Sequence, residues 1–417
     1  MSGWRKWVGI GVAVGIIAGL VPLMNGRVQT LDLKDSLSKI ERRIRGGGNR
    51  EAPPSLSGMD LTRITVHPRR VTTELDKGRL AELTLDPDLQ RRAKGAMRRY
   101  NIPEAGVVML EAQTGKVLVY ASHVEKGTAF DVNLKAEAPA ASVFKVVTGA
   151  ALIEQAGLNA KTEQCYNGGK SRIEAEELID DPRRDKWCAS LASAMGRSIN
   201  VVFARLAQKH LTPETLTAMG GALGFGAPVP FAVPNEAPSI EIPADPLEFA
   251  RSSAGFWHTT LSPLSAAVLA QTVANGGVAL QPRIVQSVQR GGEPIWQDKG
   301  EPITLRRAIK AQTASELRKM MVQTVASGSA FKAFHDGSGK ELIPGVQIAG
   351  KTGTLTRYKD ERHYTWFVGF APAEQPEVAV AVLVVNTPIW RIKASELARE
   401  VLGSYFDRKE LHGVARR

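Results

Sequence analysis

Ten residues near the end of the chain, GVQIAGKTGT from Gly345 to Thr354, carry two chemistries on one string. Gly345, then four intervening residues, then Gly350, Lys351 and Thr352, satisfies the P-loop pattern, in which backbone amides and a lysine cradle phosphates. Lys351-Thr352-Gly353-Thr354 equally suits the wall of a serine acyl-transfer site. The surroundings decide. A P-loop turns from a strand into a helix, whereas Val346 to Ala349 reads as strand and Gly353-Thr354 follows where the helix should begin. The run VAVAVLVVN that would supply a magnesium-binding strand ends in Asn386 rather than an aspartate. A P-loop NTPase is therefore set aside.

Acyl transfer needs a nucleophile with a base beside it. Ser-x-x-Lys occurs at Ser36/Lys39, Ser142/Lys145 and Ser329/Lys332, so context must separate them. Ser142 sits in APAASVFKVVTGAALIEQAG, where small residues and a proline precede a stretch that is apolar almost all round, as in a buried helix. A serine at that helix's N-terminus sees free backbone amides and the positive end of the dipole. Lys145, one turn on, shares its face, and burial would lower its pKa toward a neutral amine able to take the serine proton. The plainer alternative is a lysine that reaches the surface beside an ordinary serine. Ser198-Ile199-Asn200 adds a hydroxyl that can relay a proton and an amide that can hold a peptide bond, or else simply caps a helix. Lys351-Thr352-Gly353 adds a cation, a hydroxyl for a carboxylate, and a glycine against which a substrate can lie; otherwise it ends an edge strand.

The elements that must position these residues follow from periodicity. Leu80 to Leu85 reads as a strand, and Asp86-Pro87 opens a basic helix ending near Tyr100. AGVVMLEAQTGKVLVYAS is two apolar runs around a Gln113–Lys116 turn, a hairpin. A mostly helical middle includes an alanine-rich helix from Ser262-Pro263 to Asn275, and Thr313 with Glu316 as a capping box. GVQIAGKTG, TWFVGFAP and EVAVAVLVVN then read as strands, and a helix covers about Ala394 to Tyr405. Short connections between those strands favour an antiparallel meander that the early hairpin completes. The expected class is α+β, an antiparallel β-sheet flanked by helices.

At 417 residues with 43% hydrophobic content, the chain can bury one large core. Its net charge of +12 suits an anionic surface or polymer, but no zinc-finger spacing, aromatic RNA-binding motif or dense basic block points to nucleic acid. Trp7 to Met24 is uncharged, follows Arg5 and Lys6, and lacks an A-x-A cleavage site, which predicts an uncleaved membrane anchor over about 7–24. Leu33, Leu37, Ile40 and Ile44 suggest a juxtamembrane helix, and Gly46 to Gly58 a linker, so residues 1–24, 25–60 and 61–417 form anchor, connector and domain. The basic residues just beyond the span outnumber those before it, which taken alone would leave the domain in the cytoplasm. The two cysteines, Cys165 and Cys188, lack metal-ligand spacing; in an exported domain they could pair, and in the cytoplasm they would be ordinary small residues.

The order Ser-x-x-Lys, Ser-x-Asn, Lys-Thr-Gly resembles that of penicillin-binding proteins and serine β-lactamases. LTLDPDLQ, GVVMLEAQTGKVLVYAS, TTLSPLSAAVLAQTVANGG and AGKTGT followed by WFVGFAP extend the likeness, over about Arg79 to Tyr405, to the penicillin-binding protein transpeptidase domain. The resemblance implies that Ser142 is acylated with Lys145 as its base. Ser198 would pass a proton to the leaving D-alanine and Asn200 would bind the substrate backbone. Lys351, Thr352 and Thr354 would hold the terminal carboxylate, with Gly353 leaving room. The amides of Ser142 and Thr354 would form the oxyanion hole. No cofactor or metal is implied. Peptidoglycan stem peptides would be the substrate, β-lactams covalent inhibitors, the membrane and cell-wall synthesis proteins the partners. That substrate lies outside the cytoplasmic membrane, so a single-pass inner-membrane protein with its domain in the periplasm is expected despite the basic flank. The stretch between the anchor and the domain is too short for a glycosyltransferase domain or the long amino-terminal module of larger family members, and no PASTA-like repeat is expected after the domain. A class A Glu-x-x-Leu-Asn is missing and Asn200 departs from class D β-lactamases, which leaves D,D-carboxypeptidase or serine β-lactamase action as runners-up. A β-lactam sensor or idle scaffold comes behind them.

Overall fold

The strand Val378–Asn386 is buried along its whole length, and its alternate residues belong to two different cores. Ala379, Ala381, Leu383 and Val385 pack with the central helices, while Val378, Val380, Val382 and Val384 pack with the terminal ones. A strand covered on both faces has no polar face to alternate with, which is why VAVAVLVVN reads as an unbroken apolar run. The protein, seen here in a computed structural model, is described over residues 54–169 and 172–414. The anchor and the juxtamembrane helix expected from the sequence lie outside those residues. Among the described residues no helix is long and apolar enough to cross a membrane.

The central sheet has five strands in the order Ala349–Arg357, Arg362–Ala371, Val378–Asn386, Glu104–Glu111 and Val117–Val124, all antiparallel. The meander and the early hairpin thus join in one sheet, as expected, with helices on both faces. Pro87–Arg99 and Ala394–Val414 cover one face, and Pro263–Ala274 covers the other. The Asp86 side chain accepts from the amides of Asp88 and Leu89, so the first of these helices starts where Asp-Pro placed it.

Three sequence expectations shift. The strand at Leu80 occupies Arg79–Leu83 and belongs to a second five-stranded sheet, where it pairs with Val71–Leu75 and Val285–Arg290. Thr313 is not a helix cap: that helix runs from Ala311 to Ala326 with Lys310 as N-cap. Thr313 is buried and bonds Glu154, and Glu316 accepts from the Ala160 amide, so both serve tertiary contacts. Finally, the strand read from Val346 onward begins only at Ala349; it continues through Lys351 to Arg357, so no helix follows the glycines, in keeping with the P-loop having been set aside.

Between the sheets' helices, Glu163–Tyr166 and Trp187–Ser190 form a hairpin in which Cys165 and Cys188 are disulfide-bonded. Arg205, with no solvent exposure, gathers the rest of this segment. Its guanidinium donates to the carbonyls of Glu177 and Cys165 and forks onto both oxygens of Asp185 at 2.6 and 3.0 Å. The Asp185 carboxyl is pulled down to about 2, chiefly by this hydrogen bonding. Because a buried charge stripped of its partner is strongly destabilising, Arg205→Ala is expected to cost about 3–5 kcal/mol. Denaturant unfolding measures this, and a loss below about 1 kcal/mol would mean the loop holds itself.

Candidate active site

Ser142 stands on a turn that two separate segments hold. The Trp366 indole donates to Pro139 O at 2.9 Å, and the Ala140 amide donates to Thr259 O at 3.0 Å. Ala141 then adopts φ +49°, a left-handed conformation that costs a residue with a Cβ and is kept only where the surroundings impose it. One 3₁₀ turn, Ala141–Phe144, leads into the helix Lys145–Ala156. The imposing neighbour is Gly255, at φ +90°, where a Cβ would stand 2.2 Å from Ala141 O. Only glycine lets that loop lie against the nucleophile turn.

Lys145 is fully buried, and its Nζ lies 3.0 Å from Ser142 Oγ and 2.7 Å from Asn200 Oδ1, and it also bonds Ala254 O. Burial, and secondly the charge of Lys351, push its pKa well below the ordinary lysine value. A neutral amine keeps two N–H donors and one lone pair. Asn200 Oδ1 and Ala254 O are acceptors that occupy the two donors, which leaves the lone pair for the Ser142 proton. Asn200 therefore orients the Lys145 amine, a contact separate from the substrate-binding role expected from the sequence. The carbonyl of Ala254 has no mark in the sequence, because a backbone acceptor carries no side-chain signal; the neighbouring glycine in SSAGFW is the one hint of it.

Ser198 occupies the break between the helices Leu191–Arg197 and Asn200–His210, at φ +58°. Its hydroxyl accepts from Lys351 Nζ at 3.0 Å, so its own proton remains to be given away. Lys351 is also fully buried and also donates to Thr352 O at 2.8 Å. Burial pushes it down to about 7. Neither lysine has a carboxylate within ion-pair distance among the described residues. A buried Lys351 without an anion of its own can take an anionic ligand as its counter-charge. Thr352 is half-buried and Thr354 exposed on the same strand, which is the edge of the sheet. On an edge, the backbone groups that do not face the neighbouring strand stay available to a substrate.

The structure thus brings together Ser142, Lys145 and Asn200 on one side and Ser198, Lys351 and Thr352 on the other, joined through the Ser198-Ile199-Asn200 segment. The other serine–lysine pairs differ. Lys332 is exposed, and Ser36/Lys39 lies outside the described residues. The disulfide of Cys165 and Cys188 sits in the segment leading to Ser198 rather than at the nucleophile. Among the described residues no group of three His, Cys, Asp or Glu side chains is placed to hold a metal ion. The arrangement can attack a carbonyl, pass the proton through a neutral lysine and hold a carboxylate nearby.

Residues 105–404 match the model of the penicillin binding protein transpeptidase domain. The chain is 31% identical over 352 residues to the peptidoglycan D,D-transpeptidase PbpA of Mycobacterium tuberculosis, covering 74% of this chain and 68% of that protein. Among solved structures, the D,D-transpeptidase domain of a peptidoglycan glycosyltransferase from Eggerthella lenta aligns with a TM-score of 0.66 at 25% identity, covering 79% of this chain and 84% of that one. The penicillin G acyl-enzyme complex of penicillin-binding protein A from M. tuberculosis aligns with a TM-score of 0.61 at 26% identity, over 78% and 80%.

The two lysines have opposite requirements. Lys145 must be neutral to accept a proton, so its contribution is lost as pH falls through its depressed pKa. Lys351 must be charged to hold an anion, so its contribution is lost as pH rises through about 7. The efficiency of Ser142 acylation by a penicillin is therefore expected to be bell-shaped, with an alkaline limb starting near 7, the two limbs belonging to the coupled pair. Lys351→Arg, which stays charged, should remove the alkaline limb. A wild-type profile that is flat through neutral and alkaline pH would contradict this assignment.

Proposed function

The chain belongs to the penicillin-binding protein transpeptidase family, and we propose that Ser142 is the nucleophile through which it acts as a peptidoglycan D,D-transpeptidase. The observation that carries the assignment is the Lys145 amine, whose two donors are taken by Asn200 and Ala254 while its third position faces Ser142 Oγ at 3.0 Å. The substrate is the D-Ala-D-Ala end of a stem peptide. Its terminal carboxylate lies against Lys351, Thr352 and Thr354. Ser142 Oγ attacks the penultimate carbonyl and gives its proton to Lys145. The tetrahedral oxyanion is held by the amides of Ser142 and Thr354, each such donor being worth about 3 kcal/mol in comparable sites. D-alanine departs with the Ser198 proton, which the Lys351 ammonium bonded to that hydroxyl replaces. The amine of a neighbouring stem peptide then attacks the acyl-enzyme, its proton returns through Ser198 to Lys351, and Lys145 gives its proton back to the departing Ser142 Oγ.

A β-lactam takes the same first step, but its leaving amine stays tethered in the opened product. Hydrolysis of that ester needs a water with a base to activate it, and such assistance is typically worth about 10²–10⁴-fold. The absence of a carboxylate beside either lysine among the described residues supports slow release. Incubation with benzylpenicillin followed by intact mass is expected to show one adduct that persists for many minutes, and none on Ser142→Ala. Labelling that survives Ser142→Ala would overturn the nucleophile. Turnover faster than roughly one per second, an ordinary enzymatic rate, would make the protein a β-lactamase instead.

The domain works at the outer face of the cytoplasmic membrane in this reading, tethered by Trp7 to Met24. The uncharged length of that segment and the location of peptidoglycan support it; the basic residues beyond the span oppose it. A C-terminal alkaline phosphatase fusion should be active in whole cells, and an inactive fusion of normal abundance would reverse the orientation.

A further inference from the structure

Ser329 heads the third Ser-x-x-Lys, but not as a nucleophile. Its hydroxyl lies 2.5 Å from Thr352 Oγ1, and its backbone amide donates to Gly196 O at 2.9 Å. Gly196 precedes Ser198 by two residues, and it meets the Ser329 segment closely: a Cβ on Gly328 would stand 2.2 Å from Gly196 O. The segment between the helices Ala311–Ala326 and Phe331–Phe334 is therefore pinned to the second motif by its backbone and to the third by its side chain. Capping does not explain the serine, because the short helix takes Ala330 as N-cap and receives no side-chain cap.

A threonine hydroxyl has one proton and two lone pairs, and its proton rotates to suit its neighbours. For Thr352 to bind a carboxylate, that proton must point into the cleft. If Thr352 instead donates to Ser329, it shows only lone pairs to an anion. We propose that Ser329 is a positioning residue of the carboxylate site: its hydroxyl donates to Thr352 Oγ1 and turns the Thr352 proton toward the terminal carboxylate of the stem peptide or β-lactam. Because its backbone is tied to Gly196, the same contact sets the spacing between Ser198 and the Thr352 strand. The inference rests on the transpeptidase reading above.

The test compares acylation by benzylpenicillin, which carries the carboxylate, with acylation by its methyl ester, which does not. Ser329→Ala is expected to lose about tenfold in efficiency toward benzylpenicillin, the scale of one hydrogen bond in a chain ending on a charge. The loss should lie in binding rather than in the rate at saturation, and the methyl ester should react as with wild type. Ser329→Thr, which keeps the hydroxyl, should recover the activity. In a Thr352→Val background, Ser329→Ala should cost nothing more. Full efficiency in Ser329→Ala, equal losses on both compounds, or a further loss in the Thr352→Val background would each overturn the positioning role, the last by showing that Ser329 meets the carboxylate itself. A wild-type chain that formed no adduct would overturn the transpeptidase reading, and this inference with it.

Discussion

A lysine amine with no water around it must take its protonation state from its neighbours, and the site is organised around that constraint at Lys145. Desolvation disfavours its charged form, and the second buried amine of Lys351 disfavours it further. Three groups then fix where its hydrogens and lone pair point: Ser142 one turn before it, Asn200 from the next motif, and the carbonyl of Ala254 from a loop more than a hundred positions away. Remove the burial and Lys145 is an ordinary ammonium; remove either acceptor and its lone pair loses its direction. The left-handed backbone of Ala141, the glycine at 255 and the indole of Trp366 all serve to bring those groups to the amine.

Lys351 solves the opposite problem. Its burial lowers its pKa to about 7, and a carboxylate placed beside it would favour the charged form. The strand that carries it lies at the edge of a sheet whose interior strands are covered on both faces, so a rigid platform presents the one side that remains open. Ser198 lies between the two amine chemistries, held by Lys351 and set at the joint of two helices.

Residues with a side-chain signature and a fixed spacing are legible in the amino-acid order alone. Ser142 and Lys145 share a helical face, Asp86-Pro87 starts a helix, and the apolar runs of the meander pair in the order their short connections demand. Features made by chain segments meeting from a distance are not. The strand at Arg79 pairs with Val285, and nothing in LTLDPDLQ names that partner. Thr313 and Glu316 have the spacing of a capping box but are claimed by Glu154 and Ala160, because tertiary partners override a local one. Ala254 acts through its carbonyl, Gly255 through the lack of a Cβ, and Ser329 through a neighbour whose position only the fold reveals. The ordered motifs name the chemistry; burial and backbone geometry explain why it runs.

The central sheet has one more consequence, in time rather than in space. Its interior pair joins Val378–Asn386, near the end of the chain, to Glu104–Glu111, near the start of the domain. Such long-range pairing is slow, since the loop it closes must be ordered before the contact offsets that entropy. Within the sheet, the strand bearing Lys351 reaches this pair only through Arg362–Ala371, so its place in the sheet is complete only when the last strand has emerged and docked. A chain that appears from its N-terminus onward, whether from a ribosome or through a membrane pore, therefore carries Ser142 long before the strand of Lys351 can join it. If Ser142 is the nucleophile proposed above, topology delays the completion of its site until the last strand is in place.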